Sequence, residues 1–224
     1  MSPRPPACLL FDLDGTILDS LPGIEYSVRA AFRACGRDLV RSNFRSLIGP
    51  PIRDILSRAG EVSDAHTLDT LEHEFRKSYD GEGWQKTVCF PGAKGALETI
   101  RRRGHRLFVV SNKPRHISLR ILDREHLLEL FEEIVTADTR IPRFAGKGEM
   151  IRTLLAEHAI DPLDCILVGD TMEDADAAAS VDIPFVFMTH GYGELVGWPA
   201  PPMARKVDSF SQLLLWVTQE PVCD

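Results

Sequence analysis

Five short apolar runs recur along this chain: Ala7–Asp12, Leu107–Ser111, Ile134–Thr136, Cys165–Gly169 and Pro184–Met188. Each has strand length and none alternates apolar with polar, so each reads as a strand buried on both faces. Helical segments lie between them. Ala93–Arg103 places Ala96, Leu97 and Ile100 on one face, and Gly104 follows as a stop. Pro114–Leu127 opens on a proline. Gly148–His158 carries Met150, Ile151, Leu154 and Leu155 at helical spacing, Asp174–Ser180 is alanine-rich, and Ser209–Thr218 comes last. Strands alternating with helices predict an α/β fold with a parallel sheet and right-handed crossovers.

One interval breaks the alternation. Roughly 75–80 residues separate the first run from the helix starting near Ala93, far beyond a normal strand-to-helix loop. The interval has helical periodicity of its own, over Ile24–Ala34, Ile52–Ala59 and Leu68–Tyr79. It is expected to be an all-helical cap, residues 17–90, inserted into a Rossmann-like core of residues 1–16 and 91–224. That core has 150 residues, enough to bury an interior of its own. Pro199–Pro202 reads as a short proline-rich loop.

Composition narrows the function classes. The 26 basic and 33 acidic residues leave a net charge of −7, which disfavours nucleic-acid polymers and anionic lipid surfaces as partners. A small anionic ligand is not excluded, because one site can be locally positive. No apolar run reaches the ~18–20 residues of a membrane span. The Met-Ser-Pro-Arg-Pro-Pro opening followed by Ala7–Phe11 lacks the apolar length of a secretory signal, so the expected location is cytoplasmic. The cysteines (8, 35, 89, 165 and 223) show no metal-type or redox-type spacing, and Cys8 and Cys165 read as core residues.

Polar residues follow three of the runs. Asp12-Leu13-Asp14-Gly15-Thr16 follows the first, Ser111-Asn112-Lys113-Pro114 closes the second, and Gly169-Asp170-Thr171-Met172-Glu173-Asp174 closes the fourth. In an open α/β sheet, ligands bind beyond the carboxyl ends of the strands, so the three segments are expected to converge. Asp12, Asp14, Asp170 and Asp174 in one crevice would repel one another unless protonated or bound to a cation. Oxygen ligands shared with phosphate favour Mg²⁺. Ser111 and the amides at a helix start form an anion cradle. Carboxylates, a metal and an anion cradle together describe phosphoryl transfer.

The Asp12–Thr16 segment, Ser111 and Gly169-Asp170-Thr171-x-x-Asp174 resemble the motifs of the haloacid dehalogenase-like (HAD) hydrolase superfamily. The insertion lies where the phosphoglycolate phosphatase-like branch places its helical cap. The resemblance implies that Asp12 is a nucleophile forming an aspartyl-phosphate and that Asp14 is the general acid and base. It implies Mg²⁺ held by Asp12, the Asp14 carbonyl and Asp170, with Asp174 supporting, and a phosphoryl group held by Ser111 and the Asn112 amide. The family's lysine between these motifs is expected at Lys147, opposite the nucleophile. Lys113, two residues after the serine, is expected to point elsewhere. In the cap, Gly49 within Ile48–Arg53 belongs to a loop that in relatives dips over the site, and Arg53 is a candidate for gripping a second anionic group.

The leading expectation is thus a Mg²⁺-dependent phosphate monoester hydrolase acting on a small phosphorylated metabolite, as a monomer or homodimer. A 5′-nucleotidase-like phosphatase and a sugar-phosphate mutase are alternatives on the same scaffold. A phosphoryl-accepting protein or an inactive binding protein is the non-enzyme alternative; the Asp12–Thr16 order and the large cap oppose the first, and the intact acidic set opposes the second. Glu173 reads as a solvated carboxylate. His66, Asp69 and His73 read as a solvated helix face, and Arg101–Arg103 as a basic helix end.

Overall fold

The strands run in chain order as β1 (Cys8–Phe11), β2 (Leu18–Asp19), β3 (Val88–Cys89), β4 (Arg106–Ser111), β5 (Glu133–Thr136), β6 (Cys165–Gly169), β7 (Phe185–Met188) and β8 (Arg205–Val207). They come from a computed structural model that describes residues 7–41, 43–194 and 205–218. The Met1–Pro6 opening, the Pro199–Pro202 loop and Cys223 lie outside the described residues. Six of the strands form one parallel sheet in the order β5-β4-β1-β6-β7-β8.

The apolar runs follow from that position. Cys8, Leu10, Phe108, Val110, Leu167 and Phe185 share one buried cluster with Met150, Ile151, Leu154 and Ala178 from the helices above them. Leu9, Phe11, Leu107 and Val109 alternate to the other face and are equally buried. Both faces are covered, so no polar residue interrupts β1.

The chain divides into two compact units, Met1–Leu18 with Cys89–Asp224, and Asp19–Val88. The first holds the sheet with α4 (Ala93–Arg102), α5 (Arg115–Arg124), α6 (Lys147–Glu157), α7 (Met172–Ala179) and α8 (Phe210–Val217). The second holds α1 (Leu21–Ala34), α2 (Ile52–Gly60) and α3 (Ala65–Gly81). Its core is Ile24, Val28 and Phe32 of α1 with Leu68, Leu71 and Phe75 of α3, an amphipathic stripe on each helix. Gly23 lies against Gly83 so closely that a Cβ there would sit 2.3 Å from the Gly83 carbonyl oxygen. The chain crosses between the units at β2 and β3, which pair as a separate two-stranded sheet.

Strand β8 has no counterpart among the apolar runs. It is a three-residue edge strand with Arg205 and Lys206 exposed and only Val207 buried, so burial leaves almost no mark on its sequence.

Candidate active site

Strand register assembles the site. Phe11 lies opposite Val109 on one side and Val168 on the other. Ser111 and Asp170 therefore stand two residues past the partners of Phe11, flanking Asp12 and the loop that follows it. β1 sits between β4 and β6, so crossovers leave it in both directions, and the crevice at its carboxyl end is the topological switch point. After Asp12 the chain turns tightly. The Leu13 carbonyl accepts from the N–H groups of Thr16, Ile17 and Leu18 at 3.2, 3.0 and 2.8 Å. Gly15 takes a left-handed φ of 86° there, and a Cβ at that position would meet the Asp170 carboxylate at 2.2 Å.

Lys147 opens α6 and projects into this cluster. Its Nζ donates to Asp12 Oδ1 at 3.0 Å and to Asp174 Oδ1. All three side chains are almost fully buried. The residue after it packs too closely for a side chain, since a Cβ on Gly148 would lie 2.4 Å from Ser180 Oγ. Among the described residues no hydrogen bond reaches Asp12 Oδ2, which leaves that oxygen for a ligand or an electrophile. Asp174 accepts on both carboxylate oxygens. Its Oδ1 takes Lys147, and its Oδ2 accepts from the Asp170 N–H, the Thr171 N–H and the Thr171 hydroxyl at 3.2, 3.0 and 2.6 Å, closing a capping box on α7.

Charge crowding shows in the acid strengths. Burial, then the charges of Asp174 and Asp14, push Asp12 up to about 7 against the pull of Lys147. Burial, then Asp174 and Asp12, push Asp170 up to about 8. Burial alone would lower the Lys147 ammonium, but Asp12 and Asp174 carry it above the ordinary lysine value. Both partners of the Lys147–Asp12 pair are thus raised, because Asp12 answers more to burial and to its acidic neighbours than to one ammonium.

The residues present fit a hard divalent cation. Carboxylate oxygens of Asp12, Asp170 and Asp174 lie within 4.8 Å of one another, all of them buried. The donors are oxygen only, as Mg²⁺ prefers. When all four are ionised, Asp12, Asp14, Asp170 and Asp174 with Lys113 and Lys147 leave two negative charges for a cation to offset. Asp12, Asp170 and Asp174 are the carboxylates that could hold such an ion.

Two further contacts join the strand-end loops. Ser111 is buried at the end of β4, and its Oγ accepts from the Lys113 N–H at 3.3 Å. The Lys113 side chain reaches Asp14, with Nζ 2.9 and 3.1 Å from its two carboxylate oxygens. Lys113, expected to point elsewhere, is therefore a second cation of the constellation. Glu173 is exposed, as a solvated carboxylate would be, and Asn112 Nδ2 donates to its Oε1 at 2.6 Å.

The sequence reading missed the segment after β7. The Tyr192 N–H donates to Asp170 Oδ2 at 2.7 Å. Gly191 and Gly193 pack against Asp170. A glycine-x-glycine spacing was the only sequence signal for this, and alone it is weak.

The second unit holds the remaining expected residues. Gly49 adopts φ 124°, a left-handed conformation that favours glycine, immediately before Pro50. Arg53 in α2 donates to Asp69 at 2.6 Å and to the Ala65 carbonyl at 3.3 Å, with Glu72 at 3.5 Å. Its charge is compensated inside its own unit. Asp69, on the helix face read as solvated, is thus the partner of Arg53.

Comparison with known proteins agrees with this geometry. The sequence profile described as haloacid dehalogenase-like hydrolase matches residues 9–188. A phosphoglycolate phosphatase of Cereibacter sphaeroides is 31% identical over 189 residues, covering 82% of this chain and 85% of its own. One of Rhodobacter capsulatus is 30% identical over 213 residues, covering 92% and 94%. A haloacid dehalogenase-like family hydrolase of Streptococcus pneumoniae shares the fold at a TM-score of 0.83 and 22% identity, covering 93% of this chain and 97% of its own. With the strand-end carboxylates in place, the profile match over most of the chain shows that it belongs to the haloacid dehalogenase-like hydrolase family.

Proposed function

We propose that this chain is a Mg²⁺-dependent phosphatase that hydrolyses a small phosphate monoester through an aspartyl-phosphate on Asp12. The observation that carries the reading is the buried Lys147 ammonium, bonded to Asp12 and Asp174 beside Asp170. Such a lysine holds a carboxylate ionised and aimed, and faces the charge of a phosphoryl group.

The residues then have separable tasks. The Asp12 carboxylate attacks phosphorus as the ester bond to the leaving oxygen breaks. Asp14, two residues on and less buried than Asp12, takes up a proton from solvent as it leaves its pair with Lys113 and gives that proton to the leaving oxygen. Asp14, now a carboxylate, takes a proton from the water that attacks the aspartyl-phosphate, which returns Asp12 and releases phosphate. Ser111 and the Asn112 amide receive the phosphoryl oxygens at the start of the β4–α5 turn. Mg²⁺, held by Asp12, Asp170 and the Asp14 carbonyl, would offset the charge between carboxylates and phosphate. Lys113 keeps Asp14 at the edge of the site.

The helical unit is assigned the choice of substrate, with Gly49 and Arg53 as its candidate contacts. The relatives named phosphoglycolate phosphatase make 2-phosphoglycolate the first substrate to test. The test is turnover of nitrophenyl phosphate, then of a panel of phosphorylated acids, sugars and nucleotides, with Mg²⁺ and after chelation. Mg²⁺-dependent phosphate release that is abolished in Asp12→Asn supports the reading. Full activity after chelation, or in Asp12→Asn, overturns it. A preference for nucleotides, or transfer between two positions of a sugar, would move the assignment to one of the alternatives on this scaffold.

A further inference from the structure

The segment His190-Gly191-Tyr192-Gly193 follows β7, and four features of it converge on Asp170. The Tyr192 N–H meets Oδ2 at 2.7 Å, while the Thr16 hydroxyl meets Oδ1 at 3.0 Å. His190 Nε2 lies 3.0 Å from the Thr16 carbonyl oxygen, and a carbonyl only accepts, so Nε2 carries the proton. The His190 ring packs at a tilt against Phe90, at 4.2 Å between centroids, and near Phe210, at 5.8 Å, which fixes its orientation. The glycines complete the fit. A Cβ at 191 would lie 2.2 Å from Asp170 Cβ, and one at 193 would lie 2.3 Å from the Asp170 carbonyl oxygen. Neither glycine has a left-handed φ, so what they supply is space and not backbone freedom.

We propose that His190 is a positioning residue for the metal ligand Asp170. By holding the Thr16 carbonyl it fixes the loop from which the Thr16 hydroxyl reaches Oδ1, and its own segment delivers the Tyr192 amide to Oδ2. The two donors set the plane of the carboxylate and leave its remaining lone pairs directed together. An ion then meets a ligand that is already oriented. The inference rests on the Mg²⁺ site proposed above. It adds a residue that touches neither the ion nor the substrate.

The test is Mg²⁺ titration by calorimetry into the chelator-stripped full chain, with melting temperature in chelator measured alongside. His190→Phe keeps an aromatic ring beside Phe90 and Phe210 but removes the donor. It is expected to weaken Mg²⁺ binding about 10–100-fold, the usual effect of removing a partner that orients a metal ligand. His190→Gln restores an N–H at similar reach and is expected to recover most of the loss. Thr16→Val, which exchanges only the hydroxyl for a methyl, is expected to weaken binding in the same range and serves if His190→Phe does not fold. Wild-type Mg²⁺ affinity in His190→Phe or in Thr16→Val overturns the proposal, even where melting falls, because a purely structural histidine would lower stability alone. Asp170→Asn separates the two readings: wild-type affinity there overturns the metal site and the proposal with it, whereas lost binding there with wild-type affinity in His190→Phe overturns only the role of His190.

Discussion

Lys147→Met removes the cation that, among the described residues, faces both Asp12 and Asp174. The lysine side chain is 4% exposed, and its partners are 8% and 0% exposed. Removing one member of a buried pair typically costs ~3–5 kcal/mol, because the remaining charge is left without compensation. Here the cost depends on pH. Asp12 stands at about 7 with the lysine present, and losing the lysine raises it further, so in mildly acidic solution the folded variant simply binds a proton. The unfolded chain ionises near the ordinary carboxylate value, so holding that proton in the folded state becomes less favourable as pH rises. The loss should therefore approach the full range at pH 8.5 and shrink at pH 6. For a chain of this length each kcal/mol shifts melting by about 2–4 °C, so the ~3–5 kcal/mol loss gives a fall of ~6–20 °C at pH 8.5. Turnover should fall by ~10²–10³-fold, because the nucleophile is protonated and a preorganised charge is missing. Thermal melting in chelator at the two pH values, with nitrophenyl phosphate turnover in Mg²⁺, reads both effects. A variant that melts like wild type at pH 8.5, or loses more stability at pH 6, would refute the reasoning.

Asp14→Asn should release about one equivalent of nitrophenol per site and then slow by ~10²–10⁴-fold, because the aspartyl-phosphate lacks its general base; rapid-mixing absorbance checks this, and a steady rate near wild type contradicts it. Mg²⁺ should bind more tightly at pH 8.5 than at pH 6. Asp12 at about 7 and Asp170 at about 8 hold protons that the ion must displace, and the ion-free fold loses the stability of holding them as pH rises through those values; equal calorimetric affinity at both pH values would contradict this. Arg53→Ala should leave the melting temperature close to that of wild type, since its ion pairs are exposed. It should lower kcat/KM for a substrate with a second anionic group by about 1.5–3 kcal/mol relative to nitrophenyl phosphate, and equal losses on both substrates would remove Arg53 from recognition.

The parallel sheet was legible because burial on both faces writes itself into contiguous residues, as in Cys8–Phe11 and Cys165–Gly169. The acidic motifs were legible for the same reason: each is a short segment tied to a strand end. What stayed hidden acts through atoms that residue identity does not report. Tyr192 holds Asp170 with its backbone N–H, and Gly191 and Gly193 contribute by lacking a side chain. Lys113 was placed by adjacency, but its side chain reaches Asp14. The Asn112–Glu173 contact joins residues 61 positions apart, and nothing local in either segment announces it. Strand β8 is short, edge-placed and charged, so neither length nor apolarity marks it.

The central claim is that Asp12 becomes phosphorylated. The most direct measurement is acid quenching of Asp14→Asn during turnover of nitrophenyl phosphate, followed by peptide mass spectrometry. The account predicts a phosphoryl group on Asp12, present with Mg²⁺, lost under hydroxylamine as an acyl phosphate is, and missing when Asp12 is also replaced by asparagine. Nitrophenol release with no phosphorylated peptide, or with the phosphoryl group on a residue other than Asp12, would contradict it.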